Sequence, residues 1–410
     1  MKNKTIITVI IFLQISSLVF GQEDLNNYLE KAAENNPELH AKFNEYMAAL
    51  EVVPQAKALP DPQIAFAYFI SPVETRMGPQ QFKISASQFF PWFGTLAAKE
   101  DAAIEFAKAK YEIFEETKSK LFKDVKADYY NLYFNHKSID ITMENIELLN
   151  SIQKMVTIKV EAGTVSMVDE YRVQMEINDL ENQLANLKDK QWVLETSFRN
   201  LLNADDKLII QLPEDLWRTD FPVTKQAALD SIQTKNHQLL QIEFKQTALA
   251  FKKEAAKKEG MPDFKIGLDY IFIGEGENNL SGKDAFVFPT VGITIPLYRK
   301  KYKAMVQEVV YLESANENAK ESKSNKLETL FENAWKDYLH SERRIELNER
   351  QLELARKSLK ILESEYATAN SNFEEILRME RKVLKYNLEL EMAIADKQAA
   401  IAFINYLMGK

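Results

Sequence analysis

Three carboxylates and two arginines come nearest, by type and spacing, to doing chemistry in this chain. Asp169 lies six residues after Gly163, and Glu375, with Glu374 beside it, lies six after Ala369; Arg172 and Arg378 follow three further on, each pair 206 positions apart. Such groups hold and repel ions, and no nucleophile elbow, phosphate loop or paired catalytic constellation accompanies them in the sequence. Their plainer roles are local: carboxylates at a helix start complement the macrodipole by about 0.3–1 kcal/mol, and an arginine three residues on can form a solvated ion pair with them. His40, His136, His237 and His340 show no metal-ligand spacing, and there is no cysteine, so no metal centre, thiol nucleophile or disulfide framework is expected. Gly274-Glu-Gly276 is a fragment of a glycine-rich loop, but it joins two strand patterns, which disfavours nucleotide binding. The expectation is a protein that is not an enzyme and carries no cofactor.

The elements that must position these groups are long. No glycine or proline occurs from Thr95 to Ala162 or from Leu297 to Met408, and stretches so rich in Ala, Leu, Glu, Lys and Gln read as helices. A helix from Thr95 to Ala162 would span roughly 100 Å. A heptad follows it through Val173, Ile177, Leu180, Leu184, Leu187, Gln191, Leu194, Phe198 and Leu201, and recurs 206 residues later from Met379 to Leu407, with Lys397 answering Gln191. Stripes of this kind pack one helix on another. Gly163 suits the turn between two such helices; the second turn has Ala369-Asn370-Ser371-Asn372 instead. Ser166 and Asn372 fit helix starts.

Before each long hairpin lies a pair of apolar strands. Ile64, Phe66, Tyr68 and Ile70 alternate with Ala65, Ala67 and Phe69, and Phe264, Ile266, Leu268, Tyr270 and Phe272 alternate with Lys265, Gly267, Asp269 and Ile271. Residues 82–90 and 287–295 read as the return strands, with polar loops over 71–81 and 274–285 between. Strands of about 9–11 residues match the span of a membrane β-strand, and Lys265 and Asp269 opposite an apolar face suit a wet barrel interior. Four strands cannot close a barrel, and an open edge in lipid leaves backbone groups unpaired, so copies must pool their strands. Two, three or four copies would serve.

The 410 residues therefore read as one protomer of two similar halves: a signal peptide over 1–21 that marks the mature chain for export, a first repeat over 22–212, a linker over 213–222 and a second repeat over 223–410. The net charge of −9, or −11 once Lys2 and Lys4 leave with the leader, gives no basic nucleic-acid surface. A free-standing diffusion porin would explain the strands but leave the long helices without a purpose. A periplasmic coiled-coil scaffold or adhesin would explain the heptads but not the strands.

The motifs Asn36-Pro37-Glu38-Leu39, Leu59-Pro60-Asp61-Pro62, Phe90-Pro91-Trp92-Phe93-Gly94 and Ala162-Gly163 through Asp169, in this order, resemble the TolC family of outer-membrane efflux proteins over essentially the whole mature chain. The resemblance implies a mainly α fold in which a homotrimer shares a twelve-stranded barrel in outer-membrane lipid and a periplasmic tunnel of long helical hairpins. It implies the exit duct of a tripartite efflux or type I secretion system, joined through a periplasmic adaptor to an inner-membrane pump of the RND or ABC type. On that reading Asp169, Glu374 and Glu375 form acidic rings at the tunnel entrance. Gly163, Ser166, Arg172, Ala369, Asn372 and Arg378 are then hairpin-tip positions that meet the adaptor, and Phe90, Trp92 and Phe93 stand at the membrane interface.

Overall fold

The computed structural model describes residues 24–276, 282–368 and 373–410. The expected leader, Ala369 and Asn372 thus lie outside the described residues. The order of elements is α1 (24–35), α2 (Pro37–Lys57), β1 (Gln63–Tyr68), β2 (Glu74–Thr75), β3 (Gly78–Phe90), α3 (Thr95–Glu161) and α4 (Met167–Leu201), then α5 (Lys225–Lys235), α6 (His237–Lys258), β4 (Asp263–Ile273), β5 (Ala285–Thr294), α7 (Arg299–Thr368) and α8 (Phe373–Leu407). The duplication is visible in lengths: α3 and α7 have 67 and 70 residues, and α4 and α8 have 35 each. None of the described helices is long and apolar enough to cross a membrane.

The described residues divide into two compact units, each drawing on both sequence halves: those within 24–41, 115–236 and 324–410 form one, and those within 42–114 and 237–323 the other. The second contains the sheet, whose strands are all antiparallel in the order β1-β3-β4-β5, with the short β2 on β3. Ile64, Phe66 and Tyr68 line up with Ile84, Phe82, Tyr270 and Phe272 on one face. That face is bare: Ile64, Phe66 and Tyr68 are 78%, 66% and 69% exposed. Strand lengths depart from the expectation in two places. β1 stops at Tyr68, after six residues, and the loop expected over 71–81 is partly strand, because Glu74 and Thr75 pair with Pro79 and Gly78.

In the same unit α2, α3, α6 and α7 pack through small residues, Ala102, Ala103, Ala107, Ala255 and Ala256, all buried. Rings close the gaps, with Phe43 5.5 Å from Phe114 and Tyr46 5.3 Å from Tyr111.

The other unit holds the heptads. Val173, Ile177, Leu180 and Phe198 are buried on α4, and Leu390, Ala393, Ala400, Ile404 and Leu407 on α8. Lys397, the polar member of the second stripe, is buried too; its Nζ lies 2.8 Å from Asp220 and 3.3 Å from Glu342. Residues 213–222, expected as a linker, pack closely: Leu216 and Trp217 are buried, and the Trp217 carbonyl accepts from the Gln398 amide at 3.0 Å. Asn36 and Asn236, which precede α2 and α6, do the same work in each half. Asn36 and Asn236 donate their side-chain amides to the carbonyls of Leu201 and Leu407, the last residues of α4 and α8. Asn36 also caps α2 by accepting from the Leu39 N–H at 3.0 Å.

Candidate functional site

The turn between α3 and α4 is fixed by local chemistry. Gly163 has φ +71, its N–H reaches the Val160 carbonyl at 2.9 Å, and the Thr164 N–H reaches that of Lys159 at 3.0 Å. This double closure satisfies the last carbonyls of α3 and needs a left-handed residue at its centre. Ser166 then opens α4, with extended backbone and its Oγ accepting from the Val168 N–H at 3.2 Å.

The charged residues of the two hairpins meet. Arg172 Nη1 lies 3.2 Å from Asp169 Oδ1 on its own helix, and Arg172 Nε lies 3.5 Å from Glu374 Oε2 on α8. Arg378 does not repeat this link; it pairs with Glu375 one turn back on α8. A second cross-hairpin pair was not anticipated: Arg381 on α8 donates from Nε and Nη2 to Glu176 Oε1 on α4, at 2.9 and 2.5 Å. The Glu176 bond holds the Arg381 guanidinium above its ordinary range. The 206-residue offset could not reveal this pair, because position 175 is Met175.

Beneath these pairs α3, α4, α7 and α8 share one apolar core, including Leu149, Val156, Val173, Tyr366, Phe373 and Ile376. Tyr366 is fully buried, and its ring lies 4.3 Å from Lys159 Nζ, which also donates to the Tyr366 carbonyl near the end of α7. A cation over a ring in a dry site is held both by the quadrupole and by the carbonyl.

The sheet carries a second set of polar groups. Asp269 on β4 accepts from Ser85 Oγ at 2.6 Å and pairs with Lys83 Nζ at 3.0 Å, both on β3. Lys265 stands on the same face, its Nζ 5.2 Å from the Phe89 ring. A groove there is lined by Gln63, Lys83, Ser85, Lys265, Asp269 and Thr290. Phe90, Trp92 and Phe93 end this strand pair: Phe90 lies opposite Phe264, and the Trp92 ring stacks on Phe264 at 5.7 Å while its backbone N–H donates to Asp263 Oδ1 at 3.1 Å. Phe93 is 75% exposed.

A family model described as outer membrane efflux protein matches residues 28–204, from α1 to the end of α4. That stretch, less than half of the chain, resembles the outer membrane efflux protein family. No curated protein matches the chain in sequence, but solved outer-membrane channels share its fold. The outer-membrane channel OprN has a TM-score of 0.80 at 16% identity, over 96% of this chain and 92% of its own. VceC of Vibrio cholerae, an outer membrane protein, has 0.77 at 14%, over 95% and 97%, and the CmeC outer membrane channel of Campylobacter jejuni has 0.74 at 14%, over 94% and 86%. Channels of the efflux-protein family are trimeric and work with periplasmic adaptors and inner-membrane pumps. The efflux-protein match and the shared channel fold support the role of an outer-membrane exit duct of an efflux system, with a periplasmic helical extension.

Proposed function

We propose that three copies of this efflux protein close a twelve-stranded barrel and a helical tunnel that conducts solute passively, the driving energy coming from an RND- or ABC-type pump, with no catalysis by the duct itself. The observation that carries this reading is the sheet: a bare apolar face, a polar face with Lys83, Lys265 and Asp269, and outer edges on β1 and β5 that no described strand covers. In lipid each unpaired edge group costs several kcal/mol, a penalty that closure with other copies removes.

At the other functional level the hairpin turns serve as the tunnel entrance. Asp169, Glu374 and Glu375 from three copies form carboxylate rings, which raise the local concentration of cations. The turn at Gly163 and Ser166, with Arg172 and Arg378 beside it, is the face offered to the adaptor, and Ala369 and Asn372 belong to the same set. Phe90, Trp92 and Phe93 take the membrane-interface level, where aromatic side chains sit with one end wet. The two repeats, 22–212 and 223–410, each supply one strand pair and one hairpin around the linker 213–222.

The test is conductance in planar bilayers with multivalent cations on the periplasmic side. Asp169→Asn and Glu375→Gln each weaken the block. Unchanged block in both variants removes the acidic residues from the entrance, and a large pore that stays open without an adaptor marks a diffusion porin instead.

A further inference from the structure

Glu380 sits where a carboxyl is costly. It is 2% exposed on α8, one turn after Ile376 and Leu377 of the four-helix core. Its Oε1 accepts the side-chain amide of Asn145 on α3, and its Oε2 has no partner among the described residues. A buried carboxylate held by one neutral donor lacks most of the solvation it had in water, and taking up a proton removes that penalty.

Among the described residues no cation is paired with it. Glu363 on α7 acts on the carboxyl with a charge of the same sign. α4 supplies Val173, Ile177 and Leu180 to this core, and its Glu176 is taken up by Arg381, the arginine next to Glu380 on α8. Asn145 is itself buried. Burial, helped by Glu363 and opposed by Asn145, holds the Glu380 carboxyl above the ordinary 4.5, and burial pushes Glu363 up as well. The first repeat has no such group: 206 positions earlier stands Gln174, exposed and bonded to Gln153 and Asn178.

We propose that Glu380 is a proton-binding site that sets how tightly α8 packs on α3 and α7, so that its proton holds the second hairpin shut and release of that proton to solvent loosens it. The consequence for conduction rests on the duct reading above. The sign follows from linkage: the packed state binds the proton more tightly than a loosened, hydrated one. The stabilisation is therefore complete below the ordinary 4.5 and lost as pH rises through the raised value in the packed state.

Two measurements on the purified full chain test this. Infrared difference spectra of the wild type show a protonated-carboxyl C=O band that persists above pH 4.5 and is missing from Glu380→Gln. Bilayer conductance of the wild type rises with pH, Glu380→Gln stays at the acid-side level throughout, and Asn145→Leu moves the rise to higher pH because it removes the donor that favours the ionised form. Absence of the band in the wild type overturns the proposal, as does a full pH response retained by Glu380→Gln. A chain that forms no pore at all overturns the duct reading instead, and the infrared band alone then decides the proton site.

Discussion

Arg172 on α4 and Glu374 on α8 stand 3.5 Å apart, Nε to Oε2, so the first hairpin reaches the second through an arginine that also holds Asp169 at 3.2 Å. One guanidinium thus offsets two carboxylates from different hairpins. The partners are 17% to 44% exposed at their side chains, so the link contributes to local charge more than to stability.

Arg172→Gln is expected to change overall stability by less than ~1 kcal/mol, as partly exposed ion pairs do. It leaves Asp169 and Glu374 without the shared guanidinium and makes the acidic region more negative. Multivalent cations should then block conductance at lower concentration than in the wild type. Block at an unchanged concentration would show that the pair does not face the conducting path.

Gly163→Ala tests the turn. A Cβ at Gly163 meets nothing within 4 Å, so the cost is the left-handed backbone alone, roughly 1–2 kcal/mol for an L side chain. Amide exchange over residues 159–166 should speed up accordingly, and Gly163→Asn should cost less. Gly78 differs, because a Cβ there would lie 2.0 Å from the Gly274 carbonyl oxygen; substitution at that site displaces backbone.

The paired asparagines predict a contrast in thermal unfolding. Asn236→Ala strands the Leu407 carbonyl in a buried site and is expected to cost about 1–2 kcal/mol. Asn36→Asp keeps the acceptor that caps α2 but loses the donor to Leu201, so it should be milder than Asn36→Ala. Asn236→Asp, which sets a carboxylate against a buried carbonyl, should be worse than Asn236→Ala. Equal effects at the two positions would contradict the roles assigned to them.

Local and periodic features of this fold were readable from the chain. The alternation of Lys265 and Asp269 with Phe264, Ile266 and Tyr270 gave the two faces of β4, and Gly163 and Ser166 marked a turn and a cap through dihedral preference and hydrogen bonding within a few residues. The pairings of Arg172 with Glu374 and of Arg381 with Glu176 were not readable, since they join positions about two hundred residues apart whose facing depends on helix rotation. Glu380 was missed for a related reason. A single a/d stripe describes one seam, whereas α8 packs against several helices, so Ile376, Leu377 and Glu380 are buried beside the stripe. β2 was missed because its two residues carry no alternation at all.

Closure of the sheet between copies is the central claim, and cross-linking across its outer edges tests it most directly. Gln63 on β1 and Thr290 on β5 lie on one row across the sheet, through Ser87 and Gly267, and the chain has no cysteine of its own. With Gln63→Cys and Thr290→Cys in one chain and a short bis-thiol reagent, the outer-membrane fraction is predicted to yield covalent species that end at three copies. A soluble monomer that never cross-links, or a series that ends at two or four copies, would contradict the account.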